Sequence, residues 1–166
     1  MRKNAIIAIF LAITVADLCF AQTSWVKMPS MSEKRRGLGA AVVNGKIYAI
    51  GGFSDISGYL SATEVYDPTK NKWEPKADMS IGRQSVNVVA ASNGKIYVMG
   101  GVYVDQSATP FILADMEEYD PVGDKWTTKA PMQNARHSMA VGEVGGVIYA
   151  IGGKTGNNYS SIVEAY

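Results

Sequence analysis

Ile47-Tyr48-Ala49-Ile50-Gly51-Gly52, Ile96-Tyr97-Val98-Met99-Gly100-Gly101 and Ile148-Tyr149-Ala150-Ile151-Gly152-Gly153 are three versions of one six-residue run. Four residues of near-continuous apolar character, with no polar position alternating between them, describe a short strand covered on both faces. The paired glycines then stop the strand and let a neighbouring backbone come close. Three such runs at intervals of about 50 residues make a repeat, and a repeat of that period determines the architecture before any single element does.

The landmarks around each run recur as well. Trp25, Trp73 and Trp126 each have a Met six residues on (Met31, Met79, Met132) and an Arg ten residues on (Arg35, Arg83, Arg136). Downstream of each run comes a Glu-x-Tyr segment: Glu64 to Tyr66, Glu117 to Tyr119 and Glu164 to Tyr166. Asp67-Pro68 and Asp120-Pro121 follow the first two, and the next Trp lies six residues after that Asp. Each unit therefore reads as four strands. Strand a covers 38–43, 86–91 and 139–144, and strand b is the Ile-Tyr run. Strand c covers 62–67, 115–120 and 161–166; it ends in Asp-Pro, where proline sets a turn and cannot donate to a continuing ladder. Strand d begins at each Trp and is short, as an outer edge strand should be. Asn44-Gly45, Asn93-Gly94 and Gly145-Gly146 predict tight hairpins between a and b.

Four antiparallel strands buried on both faces call for radial stacking, which is a blade of a β-propeller. The ordered set of Arg, Ile-Tyr-x-x-Gly-Gly, Glu-x-Tyr-Asp-Pro and Trp followed by Met resembles the kelch repeat. The resemblance covers the chain after its first 21 residues, with repeats at approximately 35–79, 83–132 and 136–166. The expected fold is all-β, a partial kelch-type propeller of two complete four-stranded blades, a lone N-terminal strand d at 25–27 and an incomplete third blade. Since rings have roughly four to eight blades, the expectation is the front part of a longer protein. The alternative is a homodimer in which each Trp25 strand completes the partner's third blade in one six-bladed ring.

Arg2 and Lys3, the apolar run 5–15 and the small side chains of Cys19 and Ala21 read as a secretory signal peptide over 1–21, which implies a secreted or periplasmic protein. The run is shorter than the ~20 apolar residues that span a bilayer, so no membrane association is expected after cleavage. Cleavage after Ala21 removes Arg2, Lys3 and Asp17, taking 16 basic and 15 acidic groups to 14 of each. A neutral chain has no charge-driven affinity for nucleic acid. Cys19, the sole cysteine, leaves with the signal, so the domain (22–166) holds together by its core. Asn158-Tyr159-Ser160 is a glycosylation sequon.

His137 is the sole histidine, so a histidine-based metal site within the chain is excluded, and neither metal nor cofactor is expected. Ser138 beside it invites a hydrolase reading, but neighbours on a strand point to opposite faces and would not share a proton. Kelch-like oxidases use copper with a Cys-modified Tyr and several His, which nothing here matches. Kelch-like sialic-acid (N-acetylneuraminate) epimerases are secreted and leave an alternative in which part of a catalytic site lies in further blades. No catalytic residue is assigned, and a binding module is favoured over an enzyme.

Strands alternate direction, so the d-to-a and b-to-c loops emerge on one face of the ring. The first kind carries Arg35, Arg83 and Arg136, each followed by a variable residue: Arg36, Gln84 and His137. The second kind varies in length and content over 53–60, 102–113 and 154–160. Fixed cations beside variable loops suit a recognition surface on a constant scaffold. Kelch interaction modules, which this chain resembles, bind acidic peptides there. These six residues are the candidate ligand-binding set, for a protein or a glycan. The competing reading is favoured by recurrence itself: an Arg in every repeat ties loop carbonyls and the recurrent Glu together.

Overall fold

The three Ile-Tyr runs become the second strands of three successive antiparallel sheets in a computed structural model that describes residues 24–166 except 106. Blade one contains β1 (Gly39–Val43), β2 (Lys46–Ile50), the small hairpin β3 (Phe53–Ser54) and β4 (Gly58–Tyr59), β5 (Thr63–Asp67) and β6 (Lys72–Lys76). Blade two contains β7 (Asn87–Ala90), β8 (Ile96–Met99), the hairpin β9 (Val102–Val104) and β10 (Pro110–Ile112), β11 (Met116–Asp120) and β12 (Lys125–Lys129). Blade three contains β13 (Ala140–Val144), β14 (Val147–Ile151), the hairpin β15 (Lys154–Thr155) and β16 (Asn158–Tyr159), and β17 (Val163–Ala165). The main sheets run β1-β2-β5-β6, β7-β8-β11-β12 and β13-β14-β17, so the expected a-b-c-d order holds in two complete blades and a three-stranded third.

Each sheet packs on the next through the apolar runs. Ile50, Val65, Ile96, Val98 and Tyr119 bury together between blades one and two, and Tyr97, Met99, Met116, Ile148 and Ala150 between blades two and three. Tyr48 lies 5.8 Å from Tyr119 and Tyr97 lies 6.3 Å from Tyr166, ring centre to ring centre, so the strand-b tyrosine of one blade meets the strand-c tyrosine of the next. Each such side chain stabilises the stack by ~1.5–3 kcal/mol. Two-sided burial holds for β8, which is buried throughout, but not for β14, where Tyr149 and Ile151 are exposed. The physical reason is that, among the described residues, no sheet packs on the far face of blade three.

The Gly-Gly pairs join the blades. All six glycines have positive φ, and the amides of Gly52 and Gly101 donate to the carbonyls of Arg83 (2.8 Å) and Arg136 (3.1 Å) in the following blade. A methyl group on Gly100 would lie 2.1 Å from the Arg136 carbonyl oxygen.

Three expectations need correction. Asn44-Gly45 and Gly145-Gly146 form two-residue turns with both residues at positive φ, but of the Asn93-Gly94 pair in blade two only Gly94 has positive φ. There the extra residue Ser92 makes a longer turn, closed by Gly94 N–H to Ala91 C=O (2.9 Å) and Ala91 N–H to Lys95 C=O (2.9 Å). The b-to-c segments are hairpins rather than plain loops. Residues 25–27 form no strand: strand assignment needs a paired neighbour, and Trp25 is fully exposed. The segment nevertheless runs alongside blade one, because the Trp73 indole N–H donates to the Pro29 carbonyl at 3.0 Å. The Trp126 indole does the same to the Ala77 carbonyl at 2.8 Å. The expected signal peptide, residues 1–21, lies outside the described residues.

The Asp-Pro turns are held by their aspartates. Asp67 accepts from the Thr69 amide (3.0 Å) and hydroxyl (2.6 Å), Asp120 accepts from the Val122 amide (3.0 Å), and Lys46 and Lys95 reach across from strand b at 3.0 and 2.7 Å. The hydrogen bond from Lys95, followed by those of the turn, holds the Asp120 carboxyl down at about 2. A folded-state value below the ordinary carboxylate range stabilises the fold above about pH 4, and that contribution is lost as pH falls through about 2. An acid titration followed by circular dichroism should therefore show stability declining below about pH 4. Asp120→Asn should be less stable at neutral pH and lose less on acidification; an unchanged acid profile would contradict the assignment.

Candidate functional site

The three recurrent arginines lie inside the blades. Arg83 and Arg136 are fully buried, and the Arg35 side chain is 1% exposed. In each blade Nη1 donates to two carbonyls, one at the end of strand b and one before strand c. These are Gly51 and Ala62 (both 3.3 Å), Gly100 and Asp115 (3.2 and 3.4 Å), and Gly152 and Ile162 (both 2.8 Å). Nη2 pairs with the recurrent glutamate: Arg35 with Glu64, Arg83 with Glu117, and Arg136 with Glu164 at 3.0 Å. Each glutamate also accepts a backbone N–H from the d-to-a loop: Ser32 (3.0 Å), Ser80 (3.1 Å) and Gln133 (2.7 Å). Every charge is thus paired where water is excluded, the condition for keeping an ion inside a protein. Burial lowers the Arg83 pKa, opposed by Glu117 and Asp115. Burial likewise pushes the Glu164 carboxyl up, but the donors of Gln133 and Asn134 and the Arg136 charge outweigh it and hold the carboxyl below its ordinary value.

These ties set the backbone of the loops above them. Arg36, Gln84 and His137 each form a two-bond antiparallel bridge to the first residue of the adjoining hairpin: Phe53 (3.0 and 2.8 Å), Val102 (2.9 and 2.9 Å) and Lys154 (3.1 and 2.9 Å). Both loop types therefore lie side by side on one face, as the alternation of strand directions requires. Its chemistry differs blade by blade. In blade one the Arg36 guanidinium sits 4.6 Å from the Phe53 ring centre and 2.8 Å from Asp55 Oδ1, and Phe53 meets Tyr59 edge-on at 5.0 Å. Glu33 accepts from the Ser54 hydroxyl, which with the Ser57 hydroxyl holds its carboxyl below the ordinary value. In blade two Tyr103 and Phe111 stack at 5.1 Å. In blade three Lys154 lies 5.3 Å from the ring of Tyr159, which is 85% exposed, and burial followed by the Lys154 charge lowers the His137 pKa. Asn158 of the sequon is exposed in the same hairpin.

His137 and Ser138 do not point apart. Ser138 has φ of 53°, so the chain is not extended there, and its hydroxyl lies 3.0 Å from His137 Nδ1. Ser85 and Gly37 hold the same position with φ of 52° and 64°, so the turn is a property of the repeat. Ser138 is exposed and His137 half-buried, and no carboxylate orients the imidazole among the described residues. Among those residues, no group of three or more His, Cys, Asp or Glu is placed to hold a metal ion.

A family model described as the Kelch motif matches residues 34–80, 87–133 and 135–166. Kelch-like protein 26 of Danio rerio is 33% identical over 144 residues, which is 83% of this chain and 22% of that protein. Alpha-scruin of Limulus polyphemus is 33% identical over 116 residues, 70% of this chain and 12% of that protein. The chain thus spans less than a quarter of the length of these relatives. The solved structure of YjhT superimposes with a TM-score of 0.70 at 18% identity, covering 81% of this chain and 43% of that one.

Proposed function

Because the chain belongs to the kelch-repeat family, we propose that it presents the face built from Arg36, Gln84, His137 and the three hairpins to a protein ligand. The observation that carries this reading is the contrast between the two layers of that face. Beneath, one Arg-Glu tie repeats in three blades. Above it, equivalent positions carry a cation, an amide and an imidazole beside rings of different arrangement. A constant scaffold under variable polar and aromatic groups, exposed or half-buried, is suited to binding. In this reading Arg35, Arg83 and Arg136 position the loops and Arg36, Gln84 and His137 meet the ligand. An acidic peptide fits Arg36 and Lys154. A glycan ligand is the second reading, supported by the exposed rings of Phe111 and Tyr159. The epimerase alternative finds no support in the arginine-carboxylate pairs, which are already engaged within the blades. We also propose export, on the pattern of residues 1–21.

Peptide-display and glycan-array screens with the labelled protein test this reading, repeated with Arg36→Ala and His137→Ala. Loss of a charge-assisted contact is worth roughly 1.5–3 kcal/mol, so binding should fall about ten- to a hundred-fold. Melting should stay near the parent value, since both side chains lie outside the core. Binding unaffected by either change would remove this face from the ligand site.

A further inference from the structure

Four methionines meet where blade two packs on blade three. Met99, Met116 and Met139 are buried there, and Met132 packs against them. Met99 and Met116 lie directly opposite each other on β8 and β11, so their side chains leave the sheet on one face with Cβ atoms about 5 Å apart. Met132 and Met139 approach from the segment that leads into β13, and their terminal methyls lie 3.2 and 3.1 Å from the place a Cβ on Gly100 would take. The repeat accounts for one of the four and not for the others. Met132 has its counterparts in Met31 and Met79. The position of Met99 holds Ile50 and Ile151 in the other repeats, that of Met116 holds Thr63 and Val163, and that of Met139 holds Leu38 and Val86. Two of these three methionines belong to the second repeat and one to the third, yet all fall at the same boundary.

The preceding boundary shows that packing does not require them. It has the same arrangement, with the Met79 methyl 3.1 Å from the place a Cβ on Gly51 would take, and it fills the three other positions with Ile50, Thr63 and Val86. We propose that Met99, Met116, Met132 and Met139 together hold a soft monovalent cation, copper(I). Thioether sulfur is a neutral, polarisable donor that selects Cu(I) over the harder divalent ions. The unbranched methionine chain can turn its sulfur toward a ligand with little strain. Tyr97, Ile148 and Ala150 belong to the same buried cluster and surround the sulfurs with apolar groups. The lack of a second histidine leaves such a site open, since it needs no imidazole. It lies in the seam between two blades rather than among Arg36, Gln84 and His137, so it holds whether or not that face binds a ligand.

The full chain carrying Cys19→Ser, which removes its one thiol, is titrated with Cu(I) under anaerobic ascorbate against the chelator bicinchoninate. One equivalent should be bound, and extended X-ray absorption fine structure at the copper edge should show sulfur alone in the first shell. Met116→Leu and Met139→Leu nearly conserve side-chain volume, so the fold, followed by circular dichroism, should survive. Each should weaken binding at least tenfold. Met79→Leu, at the preceding boundary, should leave the affinity unchanged. No uptake against the chelator, nitrogen or oxygen in the first shell, an affinity indifferent to Met116→Leu and Met139→Leu, or an equal loss with Met79→Leu would overturn the proposal.

Discussion

Arg83→Ala is expected to destabilise the fold by about 3–5 kcal/mol, the range for removing one partner of a buried ion pair. The substitution strips Glu117 of its cation where its side chain is 3% exposed, and leaves the Gly100 and Asp115 carbonyls without their shared donor. At about 3–4 °C per kcal/mol for a domain of this size, the melting temperature should fall by roughly 10–20 °C. Arg83→Met with Glu117→Leu removes both charges and should recover part of the loss, because well-packed apolar groups can replace a buried ion pair at little cost. Scanning calorimetry on the three proteins decides the matter. A loss below about 1 kcal/mol, the median for an exposed pair, would mean that Arg83 is solvated after all.

Gly100→Ala should be equally costly for a different reason. Gly100 has φ of 62°, where an L side chain costs roughly 1–2 kcal/mol, and the added methyl would sit 2.1 Å from the Arg136 carbonyl oxygen. Relief requires the next blade's loop to move, which strains the bond from Gly101 N–H to that same carbonyl. The sum is about 3–5 kcal/mol, read by urea denaturation. Gly45→Ala is the control: its φ is 71° but an added methyl meets nothing within 4 Å, so the loss should stay near 1–2 kcal/mol. Equal losses at the two sites would show that backbone conformation, not the approach of the next blade, sets the requirement.

The architecture was legible because every repeat states it again. Trp, Met, Arg, Ile-Tyr-x-x-Gly-Gly and Glu-x-Tyr hold their order three times, and the four strands of each complete blade fall within one or two residues of where that order puts them. The hairpins were not legible, since β3, β4, β15 and β16 have two residues each, too few to show any alternation. Nor was the fate of Trp25, because a strand depends on a partner as much as on its own residues.

The face of the loops was legible from strand direction, but the depth of its arginines was not. An arginine that recurs at one position reads as a solvated rim or an internal tie, and recurrence favoured the tie. The glutamate that recurs with it in every repeat already pointed to a pair, as the competing reading had it, and the structure bears that reading out. The contact between His137 and Ser138 escaped because serine rarely announces a positive φ. Gly37 at the same place in the first repeat was the clue that this turn is left-handed throughout. Phe53, Asp55, Glu33 and Lys154 escaped because variable loops offer no repeat to compare.

Amide hydrogen exchange, resolved by NMR, measures most directly whether the blades form one stack locked through their Gly-Gly pairs. The amides of Gly52 and Gly101 donate across blade boundaries to Arg83 and Arg136. They should exchange as slowly as those of Val98 and Tyr119 in the buried strands, by global unfolding alone. Ser107 and Gly156 at the hairpin tips should exchange orders of magnitude faster. Gly52 and Gly101 exchanging at the rate of the tips, with the strands still protected, would show three independent sheets and contradict the stacked propeller.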